Sequence, residues 1–405
     1  MRRREFLRLA GPSAALLVAG HRADAAEGPR RARTLIAGQG VDPLPLQAYR
    51  ERWDRALRMM SDQGLAALFC EPATNFEYLV GTSFGRSERL IALVIPAGGT
   101  PFIVAPEFEV ERVGRALETV SDIRGWAEHE DPFQLVADTL LASGRGRIGI
   151  EPTTRFGMVT RLHQALPSWE LVDATPLFDQ LRMIKSGDEL ALIRRAISNT
   201  DTAIAATFAS LEAGVTDREV ARYLRDHMRR RGAQGGGLVQ FGSNTAVPHG
   251  GTEERRLERG MPVLIDAGCR VRGYRSDITR MHFFGDDPSP QYREIHNTVL
   301  AAQRAASQAG RPGVECQQLD RVARNIIGAA GYGDYFTHRL GHGLGMDGHE
   351  PPYLVEGNSR QLEPGMVFTV EPGIYLPGLW GVRIEDDFVV DQDGLQPLSS
   401  PVSPI

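Results

Sequence analysis

Two expected β-hairpins, each carrying two carboxylates, constrain the fold of this 405-residue chain more than any other feature. The first is predicted over residues 263–268 and 274–279, and the second over residues 370–375 and 381–385. In each hairpin an apolar strand ends in a carboxylate, followed by a small residue or proline and then glycine, and the returning strand brings a second carboxylate. These four carboxylates belong to Asp266, Asp277, Glu371 and Glu385.

The spacing predicts that Asp266 lies opposite Asp277, and Glu371 opposite Glu385, across antiparallel strand pairs. Opposed side chains have Cβ atoms roughly 5 Å apart, where like charges repel each other. Buried carboxylates are tolerated when they are protonated, paired or bound to a cation. The spacing alone also fits two unrelated surface hairpins, but the apolar residues before Asp266 and Glu371 indicate buried strands. The hairpins therefore predict a cation site that joins two parts of the chain.

The composition is that of an ordinary globular protein, with 42% hydrophobic and 24% charged residues. The length is sufficient for two domains with sizeable cores. A net charge of -5 argues against a nucleic-acid partner. No apolar run approaches the roughly 20 residues that a membrane-spanning helix needs.

The N-terminal segment is predicted to be an export signal and is excluded from the fold. Arginines dominate residues 2–8, a mildly apolar run covers residues 9–20, and residues 23–25 offer a small-x-small cleavage site. Twin arginines followed by Phe-Leu resemble the twin-arginine export signal, whose proteins fold before export. We therefore expect residues 1–25 to be a signal peptide of a periplasmic or secreted protein, with a basic tail as the alternative. Residues 26–45 are predicted to be a linker.

Two domains are expected after the linker. Alternating helical and strand patterns over residues 46–178 predict an α/β domain. That stretch has no dense set of histidines and carboxylates, so we expect no chemistry of its own there. Residues 179–405 contain both acidic hairpins and are predicted to form an α+β catalytic domain.

An internal repeat is expected in the catalytic domain. A helix from Gly187 to about Leu211, a second helix capped by Thr216 and a glycine-rich segment precede the first hairpin. Helices over residues 290–309 and 316–329, again followed by glycine-rich residues, precede the second hairpin. Two related halves that face each other would bring both hairpins to one central site.

A histidine in the second glycine-rich segment is a candidate metal ligand. His338 and His342 have the i, i+4 spacing of helical zinc sites, but Gly341, Gly343 and Gly345 make a helix improbable. His342 lies between two glycines, which leave room for the close approach of a metal ion.

Four carboxylates and one imidazole form an oxygen-rich ligand set. Such a set suits manganese, cobalt or iron, with zinc as a further alternative. It exceeds the needs of one ion and suits two ions about 3.5–4 Å apart that activate a water molecule.

The three cysteines, Cys70, Cys269 and Cys316, are expected to be buried free thiols, because their separations suggest no disulfide framework. Cys269 closely follows Asp266, so a cysteine ligand to the metal is the alternative.

These motifs together resemble the pita-bread metallopeptidases (family M24), which include methionine aminopeptidase, prolidase and aminopeptidase P. The likeness covers about residues 46–400. Pro248-His249 and His349-Glu350 are similar to the branch that acts on Xaa-Pro bonds, and the first domain resembles its creatinase-type N-terminal domain. The motifs are Asp-Ala-Gly at 266–268, Ser-Asp-Ile-Thr-Arg at 276–280, Gly-His-Gly-Leu-Gly at 341–345, Val-Glu-Pro-Gly-Ile-Tyr at 370–375 and Arg-Ile-Glu-Asp at 383–386.

The resemblance implies hydrolysis of Xaa-Pro bonds in small peptides by a water that bridges two metal ions, manganese foremost. It implies that Glu371 is also the general base, that His249 and His349 stabilise the oxyanion, and that Arg383 holds a carboxylate or neutralises the acidic cluster. His338 would support a ligand. It also implies a homodimer or homotetramer. The implied metal ligands are Asp266, Asp277, His342, Glu371 and Glu385.

Two other activities on the same fold remain alternatives. A dimethylsulfoniopropionate lyase uses this fold with a metal site, and its substrate pocket would distinguish it. Creatinase shares the fold without a metal, but it lacks this carboxylate set. The sequence leaves open which metal is native and whether dipeptides or longer peptides are preferred.

Overall fold

The computed structural model describes residues 42–142, 144–251, 253–285 and 287–405. The predicted signal peptide and residues 26–41 of the predicted linker lie outside the described residues. Within the described part of the chain, no helix is both long and apolar enough to cross a membrane. The α-helices are α1 (Leu46–Asp62), α2 (Thr74–Val80), α3 (Val110–Ala116), α4 (Pro132–Leu141), α5 (Phe156–Ala165), α6 (Thr175–Met183), α7 (Gly187–Ala209), α8 (Asp217–Arg230), α9 (Pro290–Ala309) and α10 (Cys316–Ala329).

The strands of the described residues form four sheets. They are β1 (Ala67–Cys70), β2 (Ala92–Pro96), β3 (Phe102–Pro106), β4 (Asp122–Trp126), β5 (Arg147–Ile150), β6 (Glu170–Asp173), β7 (Gln234–Phe241), β8 (Met261–Val271), β9 (Tyr274–Arg275), β10 (Ile278–Phe284), β11 (Gly341–Gly343), β12 (Glu350–Leu354), β13 (Val367–Val370), β14 (Gly373–Leu376), β15 (Trp380–Arg383), β16 (Asp386–Val390) and β17 (Leu395–Pro397).

The first domain is the expected α/β layer structure. Its six-stranded sheet has the order β4-β3-β2-β1-β5-β6, with β1 parallel to β5 and antiparallel to β2. Successive residues of the central strand β1 face opposite sides of the sheet. Leu68 enters one apolar core and Phe69 another, where it stacks on Phe133 of α4. Both faces of the sheet are therefore covered.

The second domain confirms the predicted internal repeat. Strands β10, β8 and β7 are neighbours in the first half, and β16, β13 and β11 are neighbours in the same order in the second. All of these pairings are antiparallel. Helices α7 and α8 accompany the first half, and α9 and α10 the second. The fold class and the repeat were both predictable, because helix caps and strand patterns occur twice along the chain in the same order.

Backbone hydrogen bonds repeat as well. The Gly214 nitrogen donates to the Leu257 carbonyl at 2.7 Å, and in the second half the Gly313 nitrogen donates to the Leu362 carbonyl at 2.9 Å. Each leucine begins a Leu-x-x-Gly-Met motif that leads into β8 or β13. This motif is a sequence signal of the repeat that our sequence analysis missed.

The predicted opposition of Asp266 and Asp277 is wrong. Asp266 lies opposite Thr279 in the β8–β10 pair. The turn is a two-residue connection at Arg272 and Gly273, whose φ angles of 50° and 95° are both positive, as in the tight turns that suit twisted hairpins. The centre of this turn lies beyond the midpoint between Asp266 and Asp277. Asp277 is therefore diagonal to Asp266 and not directly opposite it. In the second hairpin Gly373 lies opposite Arg383, so the hairpin is centred on Gly378, which is the midpoint between Glu371 and Glu385.

The expected glycine-rich segment before the first hairpin is part of strand β7. This strand starts at Gln234 and includes three glycines. A Cβ atom at Gly237 would lie 2.2 Å from the carbonyl oxygen of Asp266 on β8. The glycine run therefore lets β7 approach the strand that carries a site residue, rather than forming a separate flexible segment.

Buried polar contacts join the two domains. Helix α6 runs through the predicted boundary between residues 178 and 179. Arg52 of α1 donates to Glu189 of α7 at 3.1 Å and to the Tyr274 hydroxyl of β9 at 2.6 Å. All three side chains are buried, so these contacts are strong, charge-assisted hydrogen bonds.

Candidate metal centre

Five side chains from both halves of the repeat converge on one cavity of about 390 Å³. Each comes from a strand or from the residues next to one. Asp266 lies on β8, Asp277 precedes β10, His342 lies on β11, Glu371 follows β13, and Glu385 separates β15 from β16.

The ligand atoms of these residues form overlapping groups. His342, Glu371 and Glu385 offer atoms within 4.8 Å of one another, and so do Asp266, Asp277 and Glu385. Glu385 belongs to both groups, so the two groups are adjacent. Asp277 and His342 also form a third group with His349. The structure thus brings together all five predicted ligands.

The orientation of His342 favours a cation. Its Nδ1 lies 3.1 Å from the Gly343 carbonyl oxygen, which can only accept a hydrogen bond. In the neutral ring Nδ1 therefore carries the proton, and Nε2 presents a lone pair. That Nε2 faces the Glu371 carboxylate at 3.2 Å and Asp277 at 3.9 Å. Acceptor atoms that face one another in this way fit a metal ion between them.

The electrostatics of the carboxylates point in the same direction. Burial raises the pKa of Glu385 well above its ordinary value, and the charges of Asp277, Glu371 and Asp266 raise it further. The pKa of Asp277 is raised for the same reasons. Burial also opposes ionisation of Glu371, but without a metal a protonated His342 would donate to this carboxylate, and its charge together with those of His338 and Arg383 outweighs burial, so the pKa of Glu371 is lowered. Divalent cations would let all of these groups ionise together.

Arg383 is buried, with 3% exposure, and holds one ligand in place. Its Nη2 donates to Asp266 Oδ2 at 2.6 Å. The remaining donors reach the hydroxyls of Tyr375 and Thr279 and the carbonyl of Pro248. These contacts support both roles expected for Arg383, which are to hold a carboxylate and to neutralise the acidic cluster.

The three candidate helper histidines line the same cavity. His249 and His349 are exposed at its wall. Burial lowers the pKa of His349 to about 4, with help from the neighbouring charges of His342 and Arg339, so this ring is neutral near pH 7. His338 contacts no ligand directly, because its Nε2 accepts from the Tyr375 hydroxyl at 2.9 Å. It supports Asp266 only through Tyr375 and Arg383.

Sequence analysis missed two threonines that hold the ligands. Thr279 donates to Glu385 Oε2 at 2.6 Å, and Thr369 donates to Glu371 Oε1 at 3.2 Å. Both are fully buried. The signal was available, because each threonine lies two residues from a candidate ligand, Asp277 or Glu371, and strand alternation puts such pairs on one face.

All three cysteines are buried and free, as predicted. Cys269 is not near the ligands, because it lies three residues after Asp266 on β8 and therefore faces the other side of the sheet. Its thiol contacts the Ala196 carbonyl oxygen of α7 at 3.2 Å.

Comparisons with known proteins agree with this geometry. Residues 191–392 match Metallopeptidase family M24, and residues 52–184 match the Creatinase/Prolidase N-terminal domain. An uncharacterized peptidase of Staphylococcus aureus (strain MSSA476) is 38% identical over 348 residues, which cover 84% of this chain and 96% of the relative.

Two solved structures illustrate the likeness. Dipeptidase PepE from Mycobacterium ulcerans is 36% identical, with a TM-score of 0.84 over 89% of this chain and 98% of that one. Prolidase from Pyrococcus furiosus is 32% identical, with a TM-score of 0.75 over 86% of this chain and 100% of that one. With both domains matched and the ligand groups assembled, the chain belongs to metallopeptidase family M24.

Proposed function

We propose that this enzyme is a metal-dependent peptidase that hydrolyses the bond preceding proline in small peptides, with two divalent ions at its site. The observation that carries the proposal is the sharing of Glu385 between two three-residue groups of ligand atoms. Two adjacent groups with a common carboxylate suit a two-metal centre better than a single ion.

Each candidate site residue has a distinct role in this proposed reaction. Bound metal ions would polarise the substrate carbonyl and make water a stronger nucleophile near neutral pH. Glu371, whose carboxylate would be ionised beside the bound cations, would accept the proton that the water loses. His249 and His349 would donate hydrogen bonds to the oxygen on which negative charge develops. Arg383 would keep Asp266 oriented.

Manganese is the first candidate for both ions, with cobalt, zinc and iron as alternatives. The ligand set contains four carboxylates and a single imidazole, which favours hard or borderline divalent ions. None of the ligand groups among the described residues contains a cysteine, which would favour a softer metal.

The Xaa-Pro specificity is supported by relatives rather than by one contact. Prolidase from Pyrococcus furiosus matches 86% of this chain over its own full length. Xaa-Pro dipeptidase from Bacillus anthracis is similar as well, at 29% identity and a TM-score of 0.80. Pro248-His249 and His349 of the proline-specific motifs both contribute to the cavity wall here.

The test is a panel of Xaa-Pro dipeptides and tripeptides with Xaa-Ala peptides as matched controls. We expect the manganese-loaded enzyme to cleave Xaa-Pro bonds, to lose activity in chelator and to regain it with manganese or cobalt. Dimethylsulfoniopropionate serves as a further substrate. Its cleavage without peptide hydrolysis would overturn the proposal in favour of a lyase, and full activity in metal-free protein would favour a creatinase-like enzyme.

We further propose that the chain is exported by the twin-arginine route and assembles as a homodimer or homotetramer. Replacing Arg2, Arg3 and Arg4 by lysine should retain the protein in the cytoplasm in a fractionation assay. Light scattering on the purified enzyme should give a mass of two or four chains. A lone chain in solution, or unchanged export of the lysine variant, would refute the respective proposal.

A further inference from the structure

A cluster of buried charges lies next to His349 but outside the cavity lining. His349 faces the cavity, whereas the next residue, Glu350, is buried. Lys185 Nζ donates to Glu350 Oε1 at 2.9 Å, and Arg182 donates to Oε2 of the same carboxylate. The side chains of Lys185 and Glu350 are only 1% and 7% exposed.

The cluster also fixes the turn that leads to His349. The Asp347 nitrogen donates to Glu350 Oε2 at 3.3 Å, which closes the turn over residues 347–350. Arg182 Nη2 donates to Asp347 Oδ2 at 2.8 Å. Both ends of the turn are thus held by one guanidinium, whose planar geometry restricts their relative position.

The first domain takes part in this arrangement. Thr74 of α2 donates to Asp347 Oδ1 at 2.7 Å, and Arg182 donates to Asn75 Oδ1 at 2.9 Å. The N-terminal domain has no ligand group of its own among the described residues. Its contact with this turn connects it to the catalytic site.

The imidazole of His349 has little else to orient it. Within the described residues no hydrogen bond reaches this ring, and its centre lies 4.0 Å from that of His342. Its position therefore depends on where the backbone of the turn places it. Buried ion pairs add little net stability compared with apolar residues of similar volume, so conformational control is the better explanation of this cluster.

We propose that Glu350 is a positioning residue that, through Lys185 and Arg182, holds His349 at the site. This inference rests on the proposed function, because it assumes that His349 acts on the substrate. It assigns a role to Arg182 and Lys185, which lie between the two domains, and to the N-terminal domain. These parts of the chain contact the turn rather than the metal ligands.

A double-mutant cycle on the metal-loaded full chain tests the proposal. Glu350→Gln should lower kcat with Xaa-Pro dipeptide by up to about 100-fold, since a small misplacement of a catalytic group has effects of that size. In a His349→Ala background the same change should have almost no further effect, because Glu350 acts through His349. Equal losses in both backgrounds would overturn the proposal.

Two further variants distinguish a loss of positioning from misfolding of the protein. Asp347→Asn alters the exposed end of the cluster, where the side chain is 42% exposed, and should give a smaller loss that also vanishes in the His349→Ala background. Glu71→Gln is the matched control. Glu71 is also buried and is paired with an arginine, Arg155, yet this pair does not touch the turn, so the kcat of the variant should equal that of the wild type.

Crystal structures of Asp347→Asn and Glu350→Gln provide a readout that does not depend on activity. We expect the His349 ring to leave its place beside His342, while the five ligands keep theirs. A wild-type position of His349 in both variants would overturn the positioning role. An inactive wild-type enzyme in the peptide panel would instead count against the proposed function and leave this structural comparison valid.

Discussion

The Thr279 hydroxyl donates a hydrogen bond to Glu385 Oε2 at 2.6 Å, between the two halves of the catalytic domain. Thr369 has the matching role in the other half. It donates to Glu371 at 3.2 Å and accepts from the backbone nitrogen of His342 at 3.1 Å. Both candidate glutamate ligands are therefore oriented by a buried threonine. Such indirect support commonly decides how tightly a metal is held.

Thr279→Val should weaken metal binding about 10- to 100-fold, because it keeps the shape of the side chain but removes the hydroxyl that Glu385 and Arg383 share. Competition with a chelating dye measures this affinity. Thr279→Ser should restore most of it. Thr202→Val, on the exposed face of α7, is the control, and an equal loss there would contradict the explanation.

Glu371→Gln should lower kcat about 100- to 10,000-fold. The amide retains an oxygen but cannot accept the proton of the attacking water. Steady-state rates on an Xaa-Pro dipeptide provide the measurement, with far-ultraviolet circular dichroism to verify the fold. Glu363→Gln, on the surface with 58% exposure, should remain fully active. Turnover near the wild-type rate in Glu371→Gln would exclude this residue as the base.

The stabilisation conferred by metal should grow as the pH rises from about 4 to 8. In the metal-free protein, burial and neighbouring charges raise the pKa of Asp277 and Glu385. A raised folded-state pKa contributes stability that is complete below the unfolded value near 4 and is lost as the pH rises through the folded value. Glu371, with its lowered pKa, acts in the opposite sense, but it is one group against two.

Calorimetry of chelated and manganese-loaded protein across this pH range tests the expectation. The difference in Tm should be small at the acidic end and widen towards neutrality, because the metal also requires ionised ligands. A difference in Tm that stays constant with pH would show that these carboxylates do not govern the stability of the metal-free site.

Gly237→Ala should destabilise the fold by about 1–3 kcal/mol or more, since the added methyl group would collide with the Asp266 backbone. Gly236→Ala is the matched control. There the new Cβ would meet only the flexible side chain of Arg225, at 3.0 Å, and the stability should change little. Urea unfolding curves of the two variants give the comparison, and equal midpoints would contradict the close-approach argument.

Local signals made much of the fold predictable. Helices α9 and α10 begin and end where the sequence analysis expected, because caps and apolar periodicity agree there. Thr216 caps α8 with a capping box, as its spacing to Glu219 allows. The apolar runs before Asp266 and Glu371 do lie in buried strands.

The pairing of side chains across strands was less accessible. Asp266 faces Thr279 because the hairpin turns at Arg272 and Gly273. When the centre of a turn shifts by one residue, each residue is paired with a partner two positions away from the expected one. The Thr279–Glu385 contact and the Lys185–Glu350 pair join residues more than a hundred positions apart. Only the folded chain brings such groups together, so spacing along the sequence does not reveal them.

The central claim is that two adjacent ligand groups hold two metal ions through the common residue Glu385. Metal analysis of equilibrated protein by inductively coupled plasma mass spectrometry tests it most directly, on the wild type and on Glu385→Ala. We predict two manganese ions per wild-type chain and fewer than one in the variant, because both groups lose a ligand. Only one ion in the wild type, or two retained by Glu385→Ala, would contradict the account.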